Sequence, residues 1–177
     1  EDFETLTLVY KALDLKTRDL VELGAFRDSS AIELIPLLED AKRQIRVEYF
    51  IKALFRSAAA SGRVVENMRV FLGISDSAVR HGHIASALTV IHALQQIDVI
   101  NREGEYKIWP IIGMGSPPFR GGLNNPRLAH VETLQYAGYR TATVQSAVRY
   151  DVSYAEFLRV RETLSRLHPP RGLEIKE

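Results

Sequence analysis

Acidic side chains follow two apolar runs of the sequence, at positions that suit a divalent metal ion. Glu39 follows the largely apolar run 31–38, and Asp76 follows the strand-like run 67–74 after Ser75. Two carboxylates suit a hard cation such as Mg²⁺, which prefers oxygen ligands and commonly takes only one or two carboxylates from the protein. Two other roles stay open. Asp76 or a neighbouring serine could cap the following helix, and Glu39 could be a first-turn acid favoured by the helix dipole.

A loop rich in glycine, proline and arginine, residues 113–127 (GMGSPPFRGGLNNPR), has the composition of an anion-binding segment. Its glycines permit close approach of the backbone to a ligand, and its prolines stiffen the chain. Arg120 lies beside Gly121 and Gly122 and can direct its guanidinium at a carboxylate or phosphate. The loop has neither the Walker pattern nor GxGxxG spacing. It therefore predicts a phosphate or carboxylate site, with an ordinary surface loop as the alternative.

Histidine and cysteine do not supply a competing site. His81 and His83 lie two residues apart in a predicted helix, where such side chains do not face each other. The remaining histidines are scattered, and no Ser/His/Asp arrangement can be argued from their positions. The absence of cysteine excludes thiolate metal sites, disulfides and a cysteine nucleophile.

Four strand-like runs, separated by helical segments, must position these residues. We predict strands over residues 31–38, 67–74, 106–112 and 141–148. Helices are predicted over residues 1–14, from about 45 to Gly62, from the Ser75 turn to Gly104, over 128–137 and over 154–167. The strands start roughly 35 to 40 residues apart, as successive βα units do.

This pattern predicts an α/β fold, part of a (β/α)8 TIM-type barrel with about four βα units. A complete barrel needs about 250 residues, so residues 1–177 are expected to form a single partial domain whose N- and C-terminal parts lie elsewhere. The alternative is a small, complete doubly wound sheet. In both architectures ligands gather at the carboxyl ends of the strands, which Glu39, Asp76, the 113–127 loop and Arg149 follow.

Composition favours small-molecule chemistry. The chain of 177 residues is 46% hydrophobic and 25% charged, as in ordinary globular proteins, and its net charge of +1 gives no field that would attract nucleic acid or a membrane surface. No apolar run approaches the roughly 20 residues that span a bilayer. A cytoplasmic location is therefore expected.

Four segments, IPLLED, FLGISDSA, PIIGMGSPPFRGGL and TVQSAVRYD, resemble in this order the strand-end motifs of archaeal-type phosphoenolpyruvate carboxylase. The resemblance covers roughly residues 30–160, and the GSPPFRGGL loop is its most specific part. It implies Glu39 and Asp76 as ligands of Mg²⁺ or Mn²⁺, and Arg120 and Arg149 as catalytic residues. Together with the loop composition, it predicts substrate binding by Gly113, Gly115, Ser116, Arg120, Gly121 and Gly122.

In that family, bicarbonate attacks the phosphoryl group of phosphoenolpyruvate to give carboxyphosphate and the enolate of pyruvate. The enolate then captures the released carbon dioxide, which gives oxaloacetate and phosphate. The resemblance further implies a homotetramer. Val79 and Met114 depart from the bacterial pattern, which has a lysine and an arginine there, and both departures favour the archaeal branch.

The family's N-terminal catalytic histidine and C-terminal arginines have no counterpart in this sequence. We therefore expect an internal fragment that is inactive alone and whose general base lies outside it. Two other hypotheses stay open. One is a different Mg²⁺-dependent barrel enzyme for phosphoenolpyruvate, pyruvate or a 2-oxo acid, against which the GSPPFRGGL loop argues, and the other is a non-catalytic anion-binding α/β domain.

Overall fold

The computed structural model describes residues 2–24, 33–113, 126–166 and 168. In chain order the elements are α1 (Asp2–Glu22), β1 (Leu37–Leu38), α2 (Ala41–Ile45), α3 (Val47–Ala60), β2 (Asn67–Gly73), α4 (Ser75–His81), α5 (His83–Glu103), β3 (Lys107–Gly113), α6 (Ala129–Gln135), β4 (Thr141–Ala142), α7 (Ser146–Arg149) and α8 (Tyr154–Ser165). The strands form one sheet in the order β1-β2-β3-β4, and all three neighbouring pairs are parallel. The predicted α/β class is confirmed.

The two central strands form the frame of the sheet. β2 and β3 pair without interruption from Asn67 opposite Lys107 to Gly73 opposite Gly113. Both were predicted to within one residue at each end, because each is an apolar run of strand length bounded by turn-forming residues. Their carboxyl ends consequently lie side by side.

One face of the sheet is covered by helices. Side chains alternate between the two faces of a strand, so Met68, Val70 and Leu72 share a face, and none of them is more than 1% exposed. They belong to one apolar core with buried residues of α3 and α5, the helices that connect β1 to β2 and β2 to β3. The opposite face carries Leu37, which is 47% exposed, and the partly buried Phe71.

The outer strands are shorter than predicted. β1 contains only Leu37 and Leu38, while residues 33–36 have no regular structure and residues 31 and 32 lie outside the described residues. β4 ends at Ala142, and the predicted continuation through residue 148 is wrong because residues 146–149 form a helical turn. Each of these strands has a single neighbour in the described sheet. The apolar residues outside the paired stretch have no strand partner, so they are not part of the strand.

The long helix predicted between the Ser75 turn and Gly104 is divided at Gly82. This residue has φ +85° and ψ 152°, a backbone conformation that favours glycine, and it separates α4 from α5. The helices after β1 end near Gly62 as predicted, whereas α1 extends to Glu22 rather than to residue 14. None of the helices in the described part of the chain combines the length and apolar character needed to cross a bilayer.

The core predicts a contrast between two leucines of α5. Leu94 is 2% exposed, whereas Leu88 is 54% exposed. We expect Leu94→Ala to lower the free energy of unfolding by about 2–5 kcal/mol, because it leaves a cavity under the sheet. Leu88→Ala should change it by less than about 0.5 kcal/mol. Chemical denaturation of both variants measures the difference, and equal losses would contradict this assignment of the core.

Candidate functional site

A cleft of about 390 Å³ opens at the carboxyl ends of β1, β2 and β3, on the face of the sheet that the helices do not cover. The residues that line it are Ile35, Leu37, Glu39, Phe71, Gly73, Ser75, Gly113 and Gln145. Ligands of parallel α/β proteins bind at this end of the strands. The cleft is therefore the candidate functional site.

A larger cleft of about 610 Å³ lies at the opposite end of the sheet, near Asn67 at the start of β2. Its wall includes an ion pair between Arg63 Nη1 and Asp14 Oδ1 at 3.4 Å, and the Arg63 guanidinium lies 5.9 Å from the centre of the Tyr10 ring. These contacts join α1 to the segment after α3. Because this cleft lies at the amino end of β2, we assign the candidate site to the smaller one.

Glu39 stands directly over Gly73 at the end of the neighbouring strand. A Cβ atom built on Gly73 would lie 2.9 Å from the Glu39 Cβ, closer than real Cβ atoms approach, so glycine is required for this contact. Glu39 is half-buried and lies one residue before Asp40, the N-cap of α2. It is therefore not a first-turn acid, and that alternative is wrong.

Asp76 reaches the same edge of the sheet from β2. It is half-buried in the first turn of α4 and adjoins Ser75, a residue of the cleft wall. The N-cap of α4 is Ile74, and no side chain makes a capping hydrogen bond there. The alternative in which Asp76 or Ser75 caps the helix is therefore wrong.

Asp40 and His81 connect the segments that carry the two acids. Asp40 Oδ1 accepts a hydrogen bond from the Lys42 N–H at 2.9 Å, and Asp40 Oδ2 lies 3.0 Å from His81 Nε2. The hydrogen bond to His81 is the main cause that lowers the pKa of Asp40 below its usual value. The pair links the start of α2, just after Glu39, to the end of α4, which carries Asp76. His81 thus has a structural partner in Asp40.

Gly113 ends β3 beside Gly73 and is buried. A Cβ atom there would come within 2.6 Å of Phe71 Cε1 and 3.0 Å of Thr143 Oγ1, so glycine leaves the room that the Phe71 ring occupies. The other predicted substrate-binding residues lie outside the described residues, and their roles stay predictions: Gly115, Ser116, Arg120, Gly121 and Gly122.

Arg149 does not directly follow a strand, contrary to prediction. It is the last residue of α7, is exposed, and its guanidinium lies 5.0 Å from the centre of the Tyr150 ring. Within the described residues the cleft wall includes Gln145 from this region and does not include Arg149. The sequence motif located the segment correctly but assigned it to a strand, because TATVQSAV has the composition of one.

Sequence analysis did not identify two glutamines that lie near the site. Gln145 lines the cleft, and Gln44 of α2 is completely buried beneath it. Gln44 follows Lys42 and Arg43, so its position in the sequence resembles that of a solvated helix residue. Only the fold shows that this side chain points inward.

The donor chemistry of the site suits Mg²⁺ or Mn²⁺. Across the described ranges no group of three or more His, Asp or Glu side chains could hold a metal ion. The candidate set is instead the carboxylates of Glu39 and Asp76, and Mg²⁺ typically takes one or two carboxylates and keeps water or substrate oxygens as its other ligands. Glu39 lines the open cleft, and Asp76 lies next to the lining residue Ser75 without lining the cleft itself.

The fold and the cleft define an α/β protein with its ligand site at the carboxyl edge of a parallel sheet. The family model for phosphoenolpyruvate carboxylase matches residues 7–177. The chain therefore belongs to the phosphoenolpyruvate carboxylase family, as the resemblance predicted.

Curated relatives named phosphoenolpyruvate carboxylase support the assignment. The protein of Pyrobaculum aerophilum is 68% identical over 177 residues, which are 100% of this chain and 38% of the relative. The protein of Thermofilum pendens is 47% identical over 91% of this chain and 34% of its own length. The protein of Methanothermobacter thermautotrophicus is 35% identical over 87% of this chain and 30% of its own length. The chain thus spans about a third of the length of these relatives.

The Asp40–His81 pair predicts a change in acid stability. Because the folded pKa of Asp40 is lowered, its ionised form stabilises the fold above the unfolded pKa of about 3.9, and this contribution is lost as the pH falls through the folded pKa. His81→Ala should therefore reduce the loss of melting temperature between about pH 5 and pH 2. Exposed His83 offers a control, since His83→Ala should keep the original pH profile. Identical profiles for all three proteins would refute the coupling.

Proposed function

We propose that this chain supplies the metal-binding acids and part of the anion-binding wall of a phosphoenolpyruvate carboxylase. The complete enzyme would carboxylate phosphoenolpyruvate with bicarbonate and form oxaloacetate and phosphate. The observation that carries the proposal is the position of Glu39 over Gly73 at the carboxyl edge of the sheet, in a chain of this family. Family membership argues against both a different Mg²⁺-dependent barrel enzyme and a non-catalytic anion-binding domain.

Each part of the cleft has a role that follows from the charge of the substrates. Glu39 and Asp76 would hold Mg²⁺ or Mn²⁺. When bound, the metal supplies Lewis-acid stabilisation of the negative charge on the enolate oxygen. Gly73 and Gly113 let the Glu39 side chain and the Phe71 ring lie close against the ends of β2 and β3. Arg120 and Arg149 would balance charge on the bicarbonate and phosphate oxygens.

The proposal includes a TIM-type barrel of which these four strands are one part. A sheet in the order β1-β2-β3-β4 is wound in a single direction, as in a barrel, whereas a doubly wound sheet reverses strand order at a switch point. The uncovered face with Leu37 and Phe71 would become the interior of the barrel. The homotetramer, the cytoplasmic location and the single partial domain stay predictions that accompany this proposal.

Replacement of Asp76 tests the metal assignment in the full-length enzyme. We expect Asp76→Asn to raise the half-saturating Mg²⁺ concentration about tenfold or more and to lower kcat on the order of a hundredfold, because the amide removes a ligand charge. Asp98→Asn is the matched control, since Asp98 pairs with Arg102 on the surface of α5. An Asp76→Asn enzyme with the original Mg²⁺ titration and turnover would overturn the assignment.

The 177-residue chain alone should not form oxaloacetate. The reason is that the catalytic histidine and the further arginines implied by the family have no counterpart in it. Coupling to malate dehydrogenase and following NADH oxidation measures the rate. Turnover by the purified chain would show that the active site needs no residues outside this chain. It would refute the proposal that the chain supplies only part of the site.

A further inference from the structure

We propose that Gln44 is a positioning residue that sets the separation of Glu39 and Asp76 and thereby the metal affinity of the site. This inference rests on the proposed function. Gln44 belongs to α2, is 0% exposed, and lies under the cleft rather than in its wall. Its amide nitrogen bonds to backbone carbonyls and its side chain does not line the cleft, so we expect its effect to pass through the backbone.

The Gln44 side chain joins the ends of two strands. Its Nε2 atom donates one hydrogen bond to the Leu38 carbonyl at 2.9 Å and another to the Gly73 carbonyl at 2.6 Å. Leu38 and Gly73 are the last residues of β1 and β2. One carbonyl lies immediately before Glu39 in the chain, and the other lies three residues before Asp76. The amide of one side chain therefore fixes the backbone just before Glu39 and close before Asp76.

The contacts suit a primary amide. Two N–H donors meet the two carbonyl oxygens, and the acceptor oxygen of the same group remains for a third partner, which fixes the orientation of the side chain. The remaining atom, Gln44 Oε1, accepts at 2.7 Å from the hydroxyl of Thr89 in α5, whose one proton also has the Ser86 carbonyl within reach at 3.0 Å. All hydrogen-bonding atoms of the amide thus have partners, as a buried polar group requires.

A second buried side chain of α5 extends the network. Ser86 is 0% exposed, and its hydroxyl donates to the Ile74 carbonyl at 3.2 Å. Ile74 lies two residues before Asp76. The helix α5 thereby fixes the end of β2 directly through Ser86, and it fixes the ends of both strands through Thr89 and Gln44.

The contact between Glu39 and Gly73 shows why the separation matters. The two strand ends already approach so closely that a Cβ atom on Gly73 would collide with Glu39. A shift of either carbonyl would move a carboxylate relative to the other. Metal coordination depends steeply on ligand geometry, and loss of groups that orient the ligands commonly costs about 10- to 100-fold in metal affinity or activity.

The test uses the full-length enzyme and direct Mn²⁺ binding measured by electron paramagnetic resonance, together with melting temperature and steady-state kinetics. Gln44→Met keeps the volume and removes both donors, and it should raise the Mn²⁺ dissociation constant about 10- to 100-fold. Thr89→Val, which removes the partner of the amide oxygen, should raise it in the same direction, and Thr89→Ser should restore it. Thr17→Val is the control, because the Thr17 hydroxyl is also buried but donates only within α1, to the Leu13 carbonyl at 2.7 Å.

The outcomes separate this inference from the proposed function. If the unmodified enzyme binds Mn²⁺ but forms no oxaloacetate, the proposed function fails, and the Mn²⁺ constants still decide the role of Gln44. An unchanged constant in a folded Gln44→Met enzyme overturns the inference. If Gln44→Met does not fold, the Thr89 pair decides. Equal effects of Thr89→Val and Thr17→Val on Mn²⁺ binding, or no rescue by Thr89→Ser, would likewise overturn it.

Discussion

The parallel pairing of β2 with β3 over seven residues is the constraint on which the candidate site depends. It brings two strands to an end at the same level, with Gly73 opposite Gly113, and the Glu39 side chain and the Phe71 ring occupy the space that larger residues would need there. The pairing is stabilised from below by Val70, Leu72 and other completely buried side chains, each worth about 1.5–3 kcal/mol when removed from water. The buried apolar side chains on one face of the sheet thus hold the strands in register, and the polar residues of the candidate site follow the ends of those strands.

Polar contacts then add precision at the edge of the sheet, where the ladder ends. Backbone carbonyls at the ends of strands need donors when they are buried, and the amide of Gln44 meets this need for both β1 and β2. The Asp40–His81 contact joins the same two segments closer to the surface. The backbone that carries Glu39 and Asp76 is consequently fixed by two polar contacts. One is the buried amide of Gln44, and the other is the Asp40–His81 contact nearer the surface.

The sequence was most informative where a strand is long and ends in glycine. β2 and β3, the α/β class and the positions of Glu39 and Asp76 could be predicted because an apolar run followed by a turn specifies where a parallel strand ends. The start of β1 and the end of β4 were predicted wrongly, since apolar composition reports burial and does not report the number of ladder partners. The break at Gly82 was missed because helical periodicity continues across it. Gln44 was out of reach because its partners at Gly73 and Thr89 lie 29 and 45 residues away.

We propose that Glu39 and Asp76 share one divalent metal ion at the carboxyl edge of the sheet. Anomalous diffraction from crystals of the full-length enzyme soaked in Mn²⁺ tests this claim most directly. We predict one strong anomalous peak from a Mn²⁺ ion that binds a carboxylate oxygen of Glu39 and one of Asp76, near Gly73 and Gly113. A peak held by other residues, with both carboxylates outside its coordination sphere, would contradict the account.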